Sequence, residues 1–186
     1  MGYLTEAQLR DMGFKALGKE VRISDRAALY NVDQIEIGDF SRIDDFCVLS
    51  GNIRIGRNVH MAVYSHVAGG DEGVTLEDFS GLAYACHVMS QSDDYTGRSM
   101  TNPTVPGKFK KEIKKAVHIG RHCIVGAHSV ILPGVTLGEG CSVGALSLVT
   151  KSTLPWTMYF GSPAVRIRDR KRDLLEYERQ YLNEEK

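Results

Sequence analysis

Aliphatic side chains recur along this chain every six residues. Ile37, Ile43, Leu49, Ile55, Met61 and Val67 form one run, Leu76, Leu82 and Val88 a second, and Ile119, Val125, Ile131, Leu137, Val143 and Val149 a third. An amphipathic helix buries a face every 3.6 residues and a half-buried strand every 2, so neither accounts for the spacing. A short strand of about three residues followed by a turn does, and three such sides close a coil of about eighteen residues. The residue after the aliphatic one is often glycine, as at Gly38, Gly56, Gly120, Gly126, Gly138 and Gly144. This predicts sharp backbone bends at the corners.

Four residues after the aliphatic position the side chain is nearly always small, at Ser41, Cys47, Ser65, Ser80, Cys86, Cys123, Ser129, Cys141, Ser147 and Thr153, with larger Ile53, Val59 and Val135 at the same phase. All four cysteines fall in this column. They include no C-x-x-C pair and match no common zinc spacing, so they are expected to be buried structural thiols. Before the repeats, Thr5-Glu6-Ala7-Gln8 is a capping box that opens a short helix ending near Gly13. After them, Leu174, Leu175, Tyr177, Tyr181 and Leu182 lie at helical spacing and predict a helix from Asp169 to about Asn183. Pieces of this kind cap the ends of a repeat array. The expected organisation is a capping region over 1–20, a solenoid over 21–155 and a C-terminal extension over 156–186.

Two breaks interrupt the register. Between Val67 and Leu76 the step is 9, with the extra residues in Gly69–Gly73, and between Val88 and Ile119 it is 31. The first predicts a small bulge at a corner and the second a protruding loop over 89–116, a length usually tied to function or disorder. Just before Val67 and Val88 stand His66 and His87. Sharing one phase of the repeat, they should stack in a single outward column with Val48, Val130 and Leu148, immediately before the loop departs.

Composition narrows the reading. The chain has 186 residues, with 23 Lys plus Arg against 23 Asp plus Glu. That balance gives no basic field to draw nucleic acid or anionic lipid. No apolar run is long enough to span a bilayer, and the N-terminus lacks a leader pattern, so a soluble, cytoplasmic protein without membrane insertion is expected.

The pattern resembles the hexapeptide-repeat transferases, over about residues 35–155 and on through Gly161-Ser162-Pro163-Ala164. The resemblance implies an all-β solenoid, a left-handed parallel β-helix of about five coils with a short N-terminal helix, one long protruding loop and a C-terminal helix. Its left hand comes from the family, since general crossover chirality favours the opposite one. The resemblance also implies an acetyl-CoA-dependent O- or N-acetyltransferase with no metal, a homotrimer with sites between subunits. Its acceptor would be a sugar or nucleotide-linked sugar, used in making surface polysaccharide such as O-antigen or capsule. Two other classes share the triangular fold: zinc-dependent carbonic anhydrases, whose H-x-x-x-x-H spacing is absent here, and non-catalytic scaffolds.

In relatives of the galactoside and maltose type a catalytic histidine stands in the loop, at a phase that Asp93 occupies here. A carboxylate of ordinary pKa is a weak base for a sugar hydroxyl or ammonium, whereas an imidazole is well matched near neutral pH. His66 is therefore the expected base, with Asp93 as its catalytic partner and His87, Asp94, Tyr95 and Asn102 around the acceptor. Asp93 and Asp94 could equally hold a turn inside the loop. For the donor, the resemblance carries over backbone contacts at Ala127 and Ala145 and phosphate contacts at Lys151 and Arg168, with Arg166 beside them. The basic run from Arg166 to Arg172 falls at the start of the expected C-terminal helix. Cations there oppose the helix dipole, which suggests that an external anion compensates.

Overall fold

In the computed structural model, which describes residues 2–185, short parallel strands stack coil upon coil into a β-solenoid. The aliphatic residues of the six-residue period line its interior, and Ile37, Leu49, Met61, Val67, Leu82, Ile131 and Leu137 are each no more than 2% exposed. The stack has about seven turns instead of five, because the coils begin before Ile37. Ala16–Leu17 pairs with Ile35–Ile37, Arg22–Ile23 with Arg42–Ile43, and Ala28–Tyr30 with the strand that starts at Val48. Thr157–Phe160 adds a last rung on Ser142–Val143.

The corners are built differently from the expectation. None of Gly38, Gly56, Gly120, Gly126, Gly138 and Gly144 has a positive φ. The left-handed residue comes two positions later, at Phe40, Phe46, Asn58, Tyr64, Phe79, Ala85, His122, His128 and Leu146, with φ between 53° and 66°. Glycine is demanded by the closeness of the next coil: a Cβ on Gly38 would lie 2.6 Å from the carbonyl carbon of Gly56, and one on Gly126 would lie 2.7 Å from that of Gly144.

The small column does more than fill space. Ser41, Ser65 and Ser129 donate to the carbonyls of Gly56, Ala83 and Gly144 at 2.7, 2.9 and 3.0 Å. The thiols of Cys47, Cys86 and Cys123 reach Ala62, Gly126 and Gly138 in the same way, at 3.2, 3.2 and 3.1 Å. Each of these rungs is thus tied to a corner carbonyl one coil on. All four cysteines are free and buried. Burial pushes the Cys47 thiol up to about 11 and Cys123 up to about 12.

Two strands, Val48–Ile55 and His66–Leu76, run round one edge of the prism without a break, so two of its sides merge into a ten-stranded sheet beside an eight-stranded one. The irregular segment Gly69–Gly73 lies within the second of these strands. It makes no opening: a Cβ on Gly69 would collide with the Asn52 carbonyl, and one on Gly70 would lie 2.9 Å from Oε1 of Gln91.

At the N-terminus, helix α1 (Glu6–Asp11) starts at the Thr5–Gln8 capping box and buries Leu9. At the C-terminus the sequence reading needs correction. Val165–Asp169 is a strand antiparallel to Thr157–Phe160, and helix α2 begins only at Leu174, with Asp173 at its N-cap position, and ends at Glu184. Arg166 and Arg168 therefore lie in a strand, and the helix-dipole motive for an external anion falls away. Helix α2 is held by Glu178, which pairs with Arg121 and lies 2.9 Å from Nε2 of His122, and by Asn58, which donates to the Tyr181 hydroxyl at 3.0 Å. His122 is 7% exposed and stacked on Phe79 at 5.3 Å.

Candidate functional site

The expected column of imidazoles is present. Parallel pairing places Val48, His66, His87, Val130 and Leu148 side by side on successive coils. The rings of His66 and His87 meet edge to face, with centroids 5.9 Å apart. Both are half-buried, and neither is hydrogen-bonded to any described residue. Elsewhere His60 lies 2.8 Å from Asp44, His118 3.1 Å from Glu77 and His122 2.9 Å from Glu178. His66 has no such carboxylate. Burial, and then the nearby His87, hold its pKa below the ordinary histidine value, so at neutral pH it is an uncharged proton acceptor.

The loop leaves the prism just beyond these rings, through an antiparallel hairpin of Gln91–Ser92 with Ile113–Lys114. Asp94 is consumed by the loop itself: Oδ1 accepts from the amide and hydroxyl of Thr96 at 2.8 and 2.6 Å, and Oδ2 from the Ser99 hydroxyl at 3.2 Å. Those hydrogen bonds, led by Thr96, hold its carboxyl below the usual range. Asp93 accepts through Oδ2 from the Asn102 amide at 3.1 Å, and its Oδ1 has no partner among the described residues. Asn102 turns the chain in a left-handed conformation and accepts from Thr104, while Tyr95 is 91% exposed. No hydrogen bond or ion pair joins the loop carboxylates to His66 among the described residues.

On the edge that precedes this column, Tyr84, Ala127 and Ala145 follow one another coil by coil. The carbonyls of Tyr84 and Ala127 accept from the amides of His128 and Leu146 at 2.9 and 2.8 Å. The amides of Tyr84, Ala127 and Ala145 themselves meet no acceptor among the described residues. Beside Ala145 lies a groove of about 390 Å³ lined by Val143, Gly144, Met158, Phe160, Ile167 and Arg168. Arg168 Nε rests on the sulfur of Met158 at 3.4 Å, and Arg166 pairs with Asp169 at 2.7 Å. Lys151 is exposed in the bend after Leu148–Val149, which belongs to the other sheet. One chain thus gathers Ala127, Ala145 and Arg168 along one flank and leaves Lys151 apart from them. A cavity of about 590 Å³ lies under α1 among Leu4, Leu9, Phe14 and Leu17, with neither imidazole in its wall.

Comparison with known proteins shows the family. Residues 116–151 match the family model described as bacterial transferase hexapeptide (six repeats). The chain is 42% identical over 181 residues, 96% of its own length and 94% of the relative's, to a dTDP-4-amino-4,6-dideoxy-D-glucose acyltransferase of Escherichia coli. It is 30% identical, over 68% of its length and 61% of the relative's, to a galactoside O-acetyltransferase of Lactococcus lactis. Among solved structures it superposes with a TM-score of 0.97 and 39% identity on AntD, an N-acyltransferase from Bacillus cereus in complex with dTDP and 3-hydroxybutyryl-CoA, covering 98% of this chain and 97% of that one. The chain belongs to the hexapeptide-repeat transferases, among their sugar acyltransferases, and it is an acyl-CoA-dependent enzyme.

Proposed function

We propose that the protein transfers an acyl group from coenzyme A to the amine of a dTDP-linked 4-amino-4,6-dideoxy sugar. The observation that carries this is the 42% identity, over nearly the whole of both chains, to an enzyme of that name. His66 is the proposed base. As the amine nitrogen attacks the thioester carbonyl, the new N–C bond forms and the C–S bond breaks. The proton lost by nitrogen passes to the imidazole and from there to the departing sulfur. An acceptor arriving as ammonium first gives one proton to solvent, and the neutral amine is what attacks; the free Oδ1 of Asp93 would hold that amino group, with His87, Asp94, Tyr95 and Asn102 shaping the surroundings.

Coenzyme A fits the flank beside Ala145. The unpartnered amides of Ala127 and Ala145 are donors one coil apart, suited to a pantetheine arm, whose own amide carbonyls need such partners. Arg168, with Arg166 beside it, offers charge to phosphates at the end of that groove. Lys151 reaches the same donor only from a neighbouring subunit, which favours a homotrimer with shared sites. An N-acylated nucleotide sugar is a substrate for glycosyl transfer, so a place in surface-polysaccharide synthesis follows. A cytoplasmic place goes with these two proposed substrates, and no helix among the described residues is long and apolar enough to cross a membrane.

The reading is tested by following thiol release from acetyl-CoA and 3-hydroxybutyryl-CoA with dTDP-4-amino-4,6-dideoxyglucose and, in parallel, a simple galactoside. Turnover at least about a hundredfold faster with the nucleotide aminosugar is expected, on the scale by which sites built for a polar substrate reject analogues lacking its groups. A preference for the galactoside would replace the proposal with O-acetylation.

A further inference from the structure

The left-handed corner positions beside the histidine column form a ladder of their own. Counting two residues back from Val48, His66, His87, Val130 and Leu148 gives Phe46, Tyr64, Ala85, His128 and Leu146, one per coil, with φ of 59°, 66°, 53°, 58° and 57°. Four of the five carry large side chains. Phe46 and Tyr64 stack face to face, with centroids 5.2 Å apart and planes within 11°. The other face of Tyr64 therefore looks toward the next coil, where the rung is only the methyl group of Ala85, and beyond it stands His128. Two coil steps span roughly 9.5 Å. One layer of carbon touching both walls at ordinary contact distance takes about 7–8 Å, so the missing rung is a slot one layer deep.

We infer that this slot holds the carbon chain of the acyl group being transferred, and that Ala85 thereby selects which acyl-CoA the enzyme accepts. The inference rests on the acyl-transfer reading with His66 at the reacting carbonyl. Ala85 lies two residues before His87, at the corner from which that strand starts, and Tyr64 stands in the same relation to His66. Whatever occupies the slot is bonded close to the reacting centre. A nucleobase is held away from it by a ribose and a diphosphate, or by the length of pantetheine. The sugar presents several hydroxyls, and a floor of Ala85 under the ring of Tyr64 would leave them unpaired at a cost. The acyl chain satisfies both the closeness and the apolar lining. Nor does the backbone require a small residue here, because phenylalanine, tyrosine, histidine and leucine all occupy the same conformation on neighbouring coils.

The test compares kcat/KM for 3-hydroxybutyryl-CoA and acetyl-CoA at saturating dTDP-4-amino-4,6-dideoxyglucose. Ala85→Leu, which fills the slot as Leu146 fills its own rung, is expected to lower the ratio of the four-carbon to the two-carbon donor by at least about tenfold, the scale of misplaced methylenes in a pocket, with the acceptor KM unchanged. Ala85→Gly keeps the slot open and leaves the ratio near native. Tyr64→Ala removes a wall on the exposed surface and lowers the ratio without filling anything, so the inference remains testable should the leucine variant misfold. It is overturned if Ala85→Leu slows both donors alike, if it raises the acceptor KM while the donor ratio stays put, or if native enzyme uses acetyl-CoA and no four-carbon donor. Native protein inert toward both donors would overturn the acyl-transfer reading itself, before any variant is made.

Discussion

His66 stands out among the imidazoles by what surrounds it. No carboxylate lies against it, unlike His60, His118 and His122, and burial and a second imidazole favour its neutral form. Activity should accordingly rise with pH along a limb whose midpoint lies below about 6.5 and reach its plateau by neutrality, since only the neutral ring can accept a proton. His66→Ala should lower turnover by roughly 10²–10⁴ with donor binding retained, and His87→Ala should move the limb toward higher pH by removing a like charge. A pH profile of kcat/KM checks both. If Asp93→Asn abolishes turnover while His66→Ala stays near native, the loop carboxylate is the base. The pairing of His66 with His87 was legible in the sequence because a fixed period fixes which residues share a column. The burial of His122 was not, since it is decided by Glu178 on α2, fifty-six residues away, and no local pattern announces that docking. The hydrogen bonds of Asp93 and Asp94 were foreseen only as an alternative, because a loop without period gives no phase to argue from.

At the level of the repeating strand and turn, the glycine after each aliphatic residue is a spacing device between coils. Gly38→Ala should destabilise the protein by about 1–3 kcal/mol, the usual cost of forcing an atom into a packed interior, because the Cβ would meet the backbone of Gly56 and Arg57, which cannot step aside. Gly107→Ala is the control: nothing lies within 4 Å of its added carbon, and its melting temperature should stay within about 1 °C of native. Differential scanning calorimetry of the two variants separates crowding from mere loss of glycine. The solenoid itself was readable because fifteen aliphatic positions keep a six-residue step in three runs. The rungs before Ile37 lie outside those runs although Leu17, Ile23 and Leu29 are also six apart, because the step from Leu29 to Ile37 is eight. The strand Val165–Asp169 did carry a two-residue alternation, Val165 and Ile167 against Arg166 and Arg168, but its charge drew attention to a helix start that lies further on.

For the whole molecule, the prism leaves apolar side chains in the open: Ile124 is 49% exposed, Phe160 52% and Leu146 70%, on the flanks that carry Ala127, Ala145 and Arg168. Surface of that kind marks an association site, and a three-sided prism suits closed threefold symmetry. Light scattering at working concentration should give about three times the 20.6 kDa chain mass; a monomer would count against shared sites. The same stack poses a problem at its ends, since any final rung offers a row of free backbone groups to whatever strand comes next. Here the chain reverses after Phe160 and lays Val165–Asp169 across the last rung in the opposite direction, with Arg166 and Arg168 spaced along it. A parallel coil from a second molecule cannot continue the pattern over that reversed, positively charged strip. The reversed strand thereby interrupts, on this face, the parallel pairing by which one stack could extend onto another.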